Sequence, residues 1–425
     1  MRKYIPAIHW LSSGGNRPGY YAFEVHLRKA EVLELTGRWA EAESIYGRSL
    51  EQARSAGDSD RLARSQSKLG KVLHNRGESG RARELLGAAR DHYQSTGDSR
   101  SLSEVLNKMG NSHSQQGNYG LALECFERSL ELATGCRDRA GMSIAMNNLG
   151  NIHGDMGDSR KSLEYYQRAC QADEQAGDRL SASIDRGNMG WVYLSLGDHR
   201  RALECWEHLT RWAEYFGDKH SLSIALGNMS AVQVMLGQHH LAMDGIRARL
   251  KIAGELGDKK GLSLSYSHLA GIHSINREYA RAIEAYGRAI GLAREVGLKY
   301  YLTMYLQEAG EAHFELGEYQ EAGELCRESL EISRAINRQD TIFKCRLLQA
   351  KLAAVKDRAE GVRLIRELLA GSEQPDQQAV INYELFKLTQ DGQCRKAAME
   401  LYARLYAKTP DIDYKKKMEE LERSN

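Results

Sequence analysis

Glycine recurs in this sequence at an interval of forty residues, and the spacing never slips. One series is Gly37, Gly77, Gly117, Gly157, Gly197, Gly237 and Gly317; a second is Gly57, Gly97, Gly177, Gly217, Gly257 and Gly297. Arg277 interrupts the first series, and Arg137 and Asn337 stand at positions of the second. Because glycine readily adopts the left-handed conformation that ends a helix, two such series predict two short elements in every forty residues.

The segments between the glycines have the periodicity of helices. Leu203, Trp206, Leu209 and Ala213 are three or four residues apart, as on the buried face of a helix. We expect small residues such as those at Gly150 and Ala202 to let paired helices approach closely. We expect an aspartate series to cap the following helices, namely Asp58, Asp98, Asp138, Asp178, Asp218 and Asp258. Helix pairs of fixed period that cannot bury an apolar face alone predict a solenoid.

The repeat resembles a known family. Asn148-Leu149-Gly150-Asn151, followed by Tyr166 and Ala169, is similar to the tetratricopeptide pattern of a small residue in the first helix and an aromatic one in the second. The forty-residue period with Gly-Asp between repeats resembles kinesin light chains, Pins-type adaptors and bacterial regulatory modules. The resemblance covers roughly residues 20–370 and implies an all-α, right-handed superhelical solenoid of stacked antiparallel helix pairs.

The repeat also predicts how the chain is divided. Residues 1–19 are expected to form a loose lead-in or an N-terminal cap, because they are rich in turn-forming residues. Eight forty-residue repeats follow at 20–337, and a degenerate helix pair at 338–371. Residues 372–425 are expected to form a C-terminal helix pair and a charged capping helix that seals the core. The 4 prolines lie outside the regular array, at Pro6, Pro18, Pro375 and Pro410.

Composition excludes several classes of function. Lys and Arg number 59 against 57 Asp and Glu, which leaves a formal net charge of +2. A net charge this small does not attract the phosphates of nucleic acid or an anionic bilayer. No apolar stretch approaches the roughly 20 residues that span a membrane. We therefore expect a cytoplasmic protein with no nucleic acid as primary ligand and no membrane insertion.

The sequence offers no catalytic motif and no convincing metal site. Phosphate-loop, zinc-protease, nucleophile-elbow and dinucleotide fingerprints are absent, so no enzymatic activity and no cofactor are expected. Four histidines share one repeat position: His113, His153, His273 and His313. Equivalent helices of neighbouring repeats are about 8–10 Å apart, too far for shared metal ligands, so we interpret these histidines as packing residues.

Asparagine is concentrated in the first helix of successive repeats, although it is a mediocre helix former. The candidate binding residues, with the basic, aromatic and acidic side chains near them, are Lys68, Lys71, Asn107, Lys108, Asn111, Asn147, Asn148, Asn151, Asn188, Trp191, Asn228, His268, Glu308 and Glu311. An amide side chain both donates and accepts, so it can pair with both groups of a peptide bond. A structural alternative stays open, in which the asparagines serve helix ends or contacts between repeats.

The family resemblance implies that these residues line a concave groove that holds an extended peptide or its terminal carboxylate. We therefore expect a non-catalytic adaptor that binds a protein or peptide partner. Two alternatives remain: a regulatory or sensor arm of a larger signalling or defence assembly with a catalytic subunit, and a bacterial peptide-signal receptor.

Overall fold

The computed structural model describes residues 18–35, 38–75 and 78–423, and within them the chain forms 21 helices and no strand. In chain order the helices are α1 (Pro18–Leu35), α2 (Trp39–Ser55), α3 (Ser59–Asn75), α4 (Ser79–Thr96), α5 (Ser99–Gln115), α6 (Tyr119–Gly135), α7 (Arg139–Asp155), α8 (Ser159–Ala176), α9 (Arg179–Ser195), α10 (His199–Phe216), α11 (Lys219–Met235), α12 (His239–Leu256), α13 (Lys259–Ile275), α14 (Tyr279–Glu295), α15 (Lys299–Glu315), α16 (Tyr319–Ala335), α17 (Gln339–Lys356), α18 (Arg358–Ala370), α19 (Pro375–Thr389), α20 (Gly392–Lys408) and α21 (Ile412–Arg423). The predicted all-α class is confirmed. In this part of the chain no helix is long and apolar enough to cross a membrane.

The helices form pairs at the predicted period. From α3 to α16, each odd-numbered helix, called an A helix below, packs most closely on the even-numbered B helix that follows it. The first helix already begins at Pro18, two residues before the predicted start of the repeats. The rest of the predicted lead-in, together with Gly37 and Gly77, lies outside the described residues. The predicted grouping into segments 20–337, 338–371 and 372–425 stays a prediction.

Left-handed residues end the helices, as predicted. The described glycines of both series have φ between 64° and 82°. The non-glycine residues that interrupt the series adopt the same conformation, with φ of 54° at Arg137, 60° at Arg277 and 54° at Asn337. The turn geometry is therefore kept even where the side chain makes it unfavourable, because the position of the next helix depends on it.

Aspartate capping is confirmed at five of the six predicted positions. Asp58, Asp98, Asp178, Asp218 and Asp258 each accept a hydrogen bond from a backbone N–H in the first turn of the following helix. The prediction is wrong for Asp138, whose side chain caps nothing. Its carboxylate instead lies 3.5 Å from the guanidinium of Arg100, so an ion pair competes for the oxygen that a cap would need.

Small residues allow the close approach of paired helices. A Cβ atom built on Gly110 would lie 2.5 Å from the ring of Phe126, and one on Gly190 would lie 2.8 Å from the ring of Trp206. Each aromatic ring of a B helix therefore occupies the space that a side chain on the A helix would need. This contact fixes the separation of the two helices within a pair.

Contacts divide the chain into two compact units, Met1–Ala176 and Gly177–Asn425, with the boundary between α8 and α9. Each unit has its own apolar core between successive helices. In the N-terminal unit Leu27 and Tyr46 belong to one such cluster, and in the C-terminal unit Tyr286 and Tyr305 belong to another. The candidate residues of the two units are described separately below.

Candidate functional site

The candidate residues follow one face of the A helices. Their centre is a set of equivalent positions forty residues apart, which we call the A-helix row: Lys68, Lys108 and Asn148 in the N-terminal unit, and Asn188, Asn228, His268 and Glu308 in the C-terminal unit. The charge of the row changes along the chain from basic through neutral amides to acidic. Its remaining members lie within four residues of these positions on the same helices.

The basic end of the row is largely neutralised within the N-terminal unit. Nζ of Lys68 lies 2.9 Å from Glu31, and Nζ of Lys71 lies 2.8 Å from Glu34. Burial raises the pKa of Glu31, but Lys68 and Arg28 outweigh this effect and hold it below its usual range. These lysines therefore stabilise the contact between α1 and α3 and present little free charge.

Lys108 and Asn107 are also engaged inside the N-terminal unit. Lys108 donates from Nζ to Oγ of Ser67 at 2.6 Å, and burial, followed by the charge of Lys68, lowers the pKa of Lys108 to about 8. Asn107 is buried and donates from Nδ2 to Oγ of Ser129 at 2.7 Å. Asn148, one repeat later, donates to Oδ1 of Asn107 at 3.1 Å.

The other asparagines of this unit differ in their surroundings. Asn147 donates to the carbonyl of Ser143 at 3.1 Å, and Asn151 accepts a hydrogen bond from the hydroxyl of Tyr166 at 2.6 Å. Asn111 is exposed on α5. Most row residues of the N-terminal unit thus make contacts of the structural kind, and a binding role for them stays a prediction.

In the C-terminal unit the row begins with an amide beside an exposed aromatic side chain. Asn188 is half-buried on α9, and Trp191 on the same helix is 52% exposed. The indole of Trp191 makes an edge contact with Trp206 at 5.6 Å between ring centroids. Trp206 in turn donates to the carbonyl of Gly187 at 3.0 Å, so the exposed indole is held against a fixed, buried one.

Two row residues of the C-terminal unit have buried polar atoms that are not satisfied. Nδ2 of Asn228 and Nδ1 of His268 are buried, and neither has a hydrogen-bond partner among the described residues. Burial, reinforced by the charge of Arg249, lowers the pKa of His268 to about 4, so its imidazole is neutral at pH 7. Unsatisfied buried polar atoms are rare in native proteins, because each leaves a desolvation cost uncompensated.

Arg249, on the B helix α12, was not expected from the sequence. Its side chain is only 8% exposed and lies across Gly227, so close that a Cβ atom on Gly227 would be 2.4 Å from Nη1. Its Nε is fully buried without an acceptor, and no carboxylate oxygen of the described residues lies within 4 Å of its guanidinium. A buried cation without a partner is costly, which makes Arg249 a candidate functional residue.

A signal for Arg249 was present in the repeat. The equivalent positions on other B helices hold small or apolar residues, namely Ser49, Ala89, Ser129, Ala169, Leu209, Ala289 and Ser329. Each of these B-helix positions faces the A-helix position that lies 22 residues earlier in the sequence. That A-helix residue is glycine only in the two repeats where the B-helix residue is large, in the pairs Gly187–Leu209 and Gly227–Arg249. In the N-terminal unit the same pair of positions is Asn107 and Ser129, which are joined by a hydrogen bond.

The acidic end of the row opens into a cavity of about 650 Å³, which we call the acidic chamber. Glu308, Glu311 and Glu315 of α15 line it, and Glu420 of α21 supplies a fourth carboxylate. Tyr279, Tyr286 and Tyr383 form aromatic walls, and Arg277 and Lys387 are the cations in the lining. The structure thus brings Glu308 and Glu311, predicted as the acidic end, to a single cavity that is open to solvent.

The carboxylates of the chamber have different environments. Burial raises the pKa of Glu308, although the charge of Lys344, a hydrogen bond with Tyr286 and the charge of Arg338 act in the opposite direction. Glu311 forms an ion pair with Lys351, whose Nζ lies 2.6 Å away. Burial therefore outweighs these contacts at Glu308, and a cation bound beside it would favour its charged form.

The C-terminal helices close one side of the chamber. The hydroxyl of Tyr383 on α19 donates to Glu420 on α21, and Arg277 lies 3.9 Å from the same carboxylate. The segment leading into α21 runs against earlier turns: a Cβ atom on Gly197 would lie 2.7 Å from the carbonyl oxygen of Lys408, and one on Gly237 would lie 3.2 Å from Ile412. The sequence predicted a capping helix here, but not that it would form a wall of the cavity.

Of the four histidines that share one repeat position, three make side-chain contacts, whereas Nδ1 of His113 is buried without a hydrogen-bond partner among the described residues. Nδ1 of His273 lies 2.6 Å from Glu278, and Nδ1 of His313 lies 2.6 Å from Glu318. The ring of His153 stacks on Tyr165 with 5.5 Å between centroids. These contacts join the A helix to the turn or to the B helix of its own repeat.

Comparison with family models identifies the repeat. A family model of the tetratricopeptide repeat matches residues 21–95 and 101–175, and a second one matches residues 303–340. The chain is a tetratricopeptide-repeat protein. A model of anaphase-promoting complex subunit 5 matches residues 191–276 of this tetratricopeptide-repeat protein. No curated protein matches the sequence.

Solved structures match the tetratricopeptide-repeat protein at low identity. The Signal Transduction ATPase with Numerous Domains protein with a tetratricopeptide repeat sensor, from Pyrococcus horikoshii, is 13% identical with a TM-score of 0.57, covering 77% of this chain and 52% of that one. A Rap protein complexed with Competence and Sporulation Factor is 12% identical with a TM-score of 0.56, covering 85% and 99%. The apo quorum sensor NprR from B. thuringiensis is 13% identical with a TM-score of 0.50, covering 86% and 97%. These matches confirm the predicted tetratricopeptide-repeat solenoid fold.

Proposed function

We propose that this tetratricopeptide-repeat protein binds an extended segment of a partner protein, or a peptide, along the A-helix row of its C-terminal unit, without catalysing a reaction. The observation that carries the proposal is the acidic chamber, because the row residues Glu308 and Glu311 line a cavity large enough for several side chains. The fold agrees with this role, since stacked repeats present long surfaces to extended ligands.

The C-terminal unit is the better candidate because its row residues are less engaged. In the N-terminal unit, Lys68, Lys71 and Asn107 have partners within the chain. In the C-terminal unit the amide of Asn228 and the imidazole of His268 have buried nitrogens without partners. A peptide backbone carries both donors and acceptors and could supply the missing partners, and these nitrogens are already desolvated in the folded protein.

The chamber favours a cationic group on the ligand. Four carboxylates line it against two cations, and the tyrosine rings offer faces for cation–π contact. A lysine or arginine side chain, or the free amino terminus of a peptide, has this chemistry. Trp191, at the other end of the C-terminal part of the row, would supply apolar contact.

Two related functions use the same surface with a different partner. As the sensor arm of a signalling or defence assembly, the protein would copurify with a catalytic subunit, as the architecture of the Pyrococcus horikoshii protein suggests by analogy. As a peptide-signal receptor, it would be stabilised by a short free peptide; the Rap protein was solved with Competence and Sporulation Factor. Copurification from the native cell separates these two roles.

A peptide-library measurement tests the proposal. Fluorescence polarisation with pooled, labelled decapeptides of random sequence should identify binders enriched in lysine or arginine. Glu308→Gln together with Glu311→Gln should weaken their binding roughly tenfold or more, as expected for loss of charge-assisted contacts. Glu321→Gln, an exposed acid on the B helix α16, is the matched control and should leave affinity unchanged. Equal affinities in all three proteins would overturn the chamber as the binding site.

A further inference from the structure

We propose that a cavity at the ends of α14 and α16 binds a small aliphatic carboxylate, such as a medium-chain fatty acid. The cavity, which we call the B-helix cavity, has a volume of about 400 Å³ and lies between the last turns of these two B helices and the first turn of α15. None of the residues that line it belongs to the A-helix row or to the acidic chamber. The inference therefore goes beyond the proposed peptide-binding function and does not depend on it.

The wall of the B-helix cavity is mostly apolar. Its apolar side chains are those of Ala293, Leu302, Ile332, Ala335 and Ile336. A cavity with such a lining and this volume is typical of sites for small molecules, which measure about 300–1,000 Å³. A stable protein interface uses about 20–30 residues on each side, whereas nine residues line this cavity. The cavity therefore favours a short aliphatic chain over a folded partner.

A comparison of repeats shows that Lys299, which lines the cavity, has lost an acidic partner. In each of the two preceding repeats the equivalent lysine forms an ion pair with the glutamate 36 residues later, Lys219 with Glu255 and Lys259 with Glu295. The residue 36 positions after Lys299 is Ala335, which also lines the cavity. Alanine in place of glutamate therefore leaves the ammonium group without its partner, and leaves space beside it.

The other charged groups near Lys299 do not replace the missing glutamate. Glu331 lines the cavity, but among the residues that the structure describes it forms no ion pair within 4 Å with Lys299 or with any other cation. Arg294, the second cation of the lining, is already paired with Glu328 at 2.7 Å. Leu298 stands where the two preceding repeats have capping aspartates, and no side chain caps α15. A ligand with a carboxylate would supply the absent negative charge.

The ion pairs of the preceding repeats indicate where the carboxylate of the ligand would lie. Beside Nζ of Lys299, it would take the place that the carboxylate of Glu295 has beside Lys259. The aliphatic chain would then extend over Leu302 and Ile332. Each methylene group buried there should tighten binding by up to about fourfold, which corresponds to its transfer out of water.

Equilibrium dialysis of radiolabelled octanoate against the full chain measures this binding. Octanol and octylammonium, which have the same chain length and other head groups, are used as competitors, and so are hexanoate and butanoate. Octanol and octylammonium should bind roughly tenfold or more weakly than octanoate, because neither makes a charge-assisted contact with Lys299. Hexanoate should bind more weakly than octanoate, and butanoate more weakly still. Octanol that binds as tightly as octanoate would overturn the site.

Lys299→Gln is the variant that removes the charge at the cavity. It should weaken octanoate binding roughly tenfold or more and should bind octanoate and octanol alike. Lys259→Gln is its matched control, because it removes the lysine at the same repeat position, where Glu295 is already the partner. The control should bind octanoate as tightly as the unmodified protein. Unchanged octanoate binding by Lys299→Gln, or an equal loss in both variants, would overturn the site.

Ala335→Glu tests the same site by restoring the acidic residue of the preceding repeats. Ala335 is exposed at the end of α16, so the longer side chain has room. The new carboxylate should pair with Lys299 and weaken octanoate binding roughly tenfold or more, while the circular dichroism spectrum stays unchanged. Octanoate bound by Ala335→Glu as tightly as by the unmodified protein would overturn the site, because the ligand would then not depend on the free ammonium group.

Discussion

Asn148 of α7 donates a hydrogen bond to Asn107 of α5, with 3.1 Å between Nδ2 and Oδ1. Asn107 also donates a hydrogen bond of its own, from Nδ2 to Oγ of Ser129 on α6 at 2.7 Å. A polar chain therefore joins three helices of two consecutive repeats within the N-terminal unit. Such buried networks rigidify a fold when every member is satisfied.

Asn107→Ala should lower the free energy of unfolding by about 1–3 kcal/mol, because Ser129 and Asn148 would each lose a partner in a buried place. Asn111→Ala is the control, since Asn111 is exposed on the same helix and alanine is the better helix former. Urea denaturation followed by circular dichroism measures both. Equal stabilities would show that the chain of hydrogen bonds contributes nothing.

Gly190→Ala should destabilise the protein by about 1–3 kcal/mol through overpacking against Trp206, whose ring would lie 2.8 Å from the new methyl group. Gly287→Ala should instead stabilise it by about 0.5–1 kcal/mol, because that glycine lies inside α14 with open space around it. Thermal unfolding of the two variants should shift in opposite directions. Shifts of the same sign would contradict the proposed role of small residues in the A helices.

The wall formed by the C-terminal helices can be tested at two turn glycines with similar backbone geometry, Gly197 with φ of 76° and Gly217 with φ of 68°. Alanine at either position should cost about 1–2 kcal/mol for the left-handed conformation. Gly197→Ala should also displace the segment after α20, because the new Cβ atom would meet the carbonyl of Lys408 at 2.7 Å. Limited trypsin digestion should therefore cut near residue 408 faster in Gly197→Ala, whereas Gly217→Ala should be cut there no faster than the unmodified protein.

His268 should make stability depend on pH in the acidic range. Its pKa is lowered from 6.5 to about 4 in the folded protein, so the unfolded chain binds more protons between these values. The contribution of neutral His268 is fully present above pH 6.5 and is lost as the pH falls toward 4, by up to about 3 kcal/mol. His268→Gln should flatten this part of the stability profile in urea denaturation. An unchanged slope would mean that the pKa of His268 is not lowered in the folded protein.

The helix pairs could be predicted from the sequence because their causes are local. Apolar side chains three or four residues apart favour a helix wherever they occur, and Gly117 or Gly157 ends one by its own backbone freedom. Even the aspartate caps depend on residues only three positions away. The capping prediction is wrong at Asp138 because a distant residue intervenes: Arg100, in the preceding repeat, competes for the carboxylate.

The acidic end of the row was predicted, but the chamber was not. Glu308 and Glu311 are one helical turn apart, so their common face follows from the helix alone. Tyr383 and Glu420 reach the same space only because α19 and α21 fold back against the A helices. The repeat pattern does not predict how α19 and α21 pack, because residues 372–425 lack the glycines that recur every forty residues in the rest of the chain.

The sequence alone thus determined the family and the helix pairs, and it indicated the A helices as the candidate binding face. It could do so because the same residue types recur at equivalent positions of successive repeats. Tertiary structure decided which polar residues have partners. Asn107 finds Ser129 across a helix pair, whereas Arg249 at the position equivalent to Ser129 lies across Gly227 with no acceptor. The difference between the two pairs depends on the distance between the packed helices and on the sizes of the two facing side chains. Neither quantity can be read from one position of the repeat.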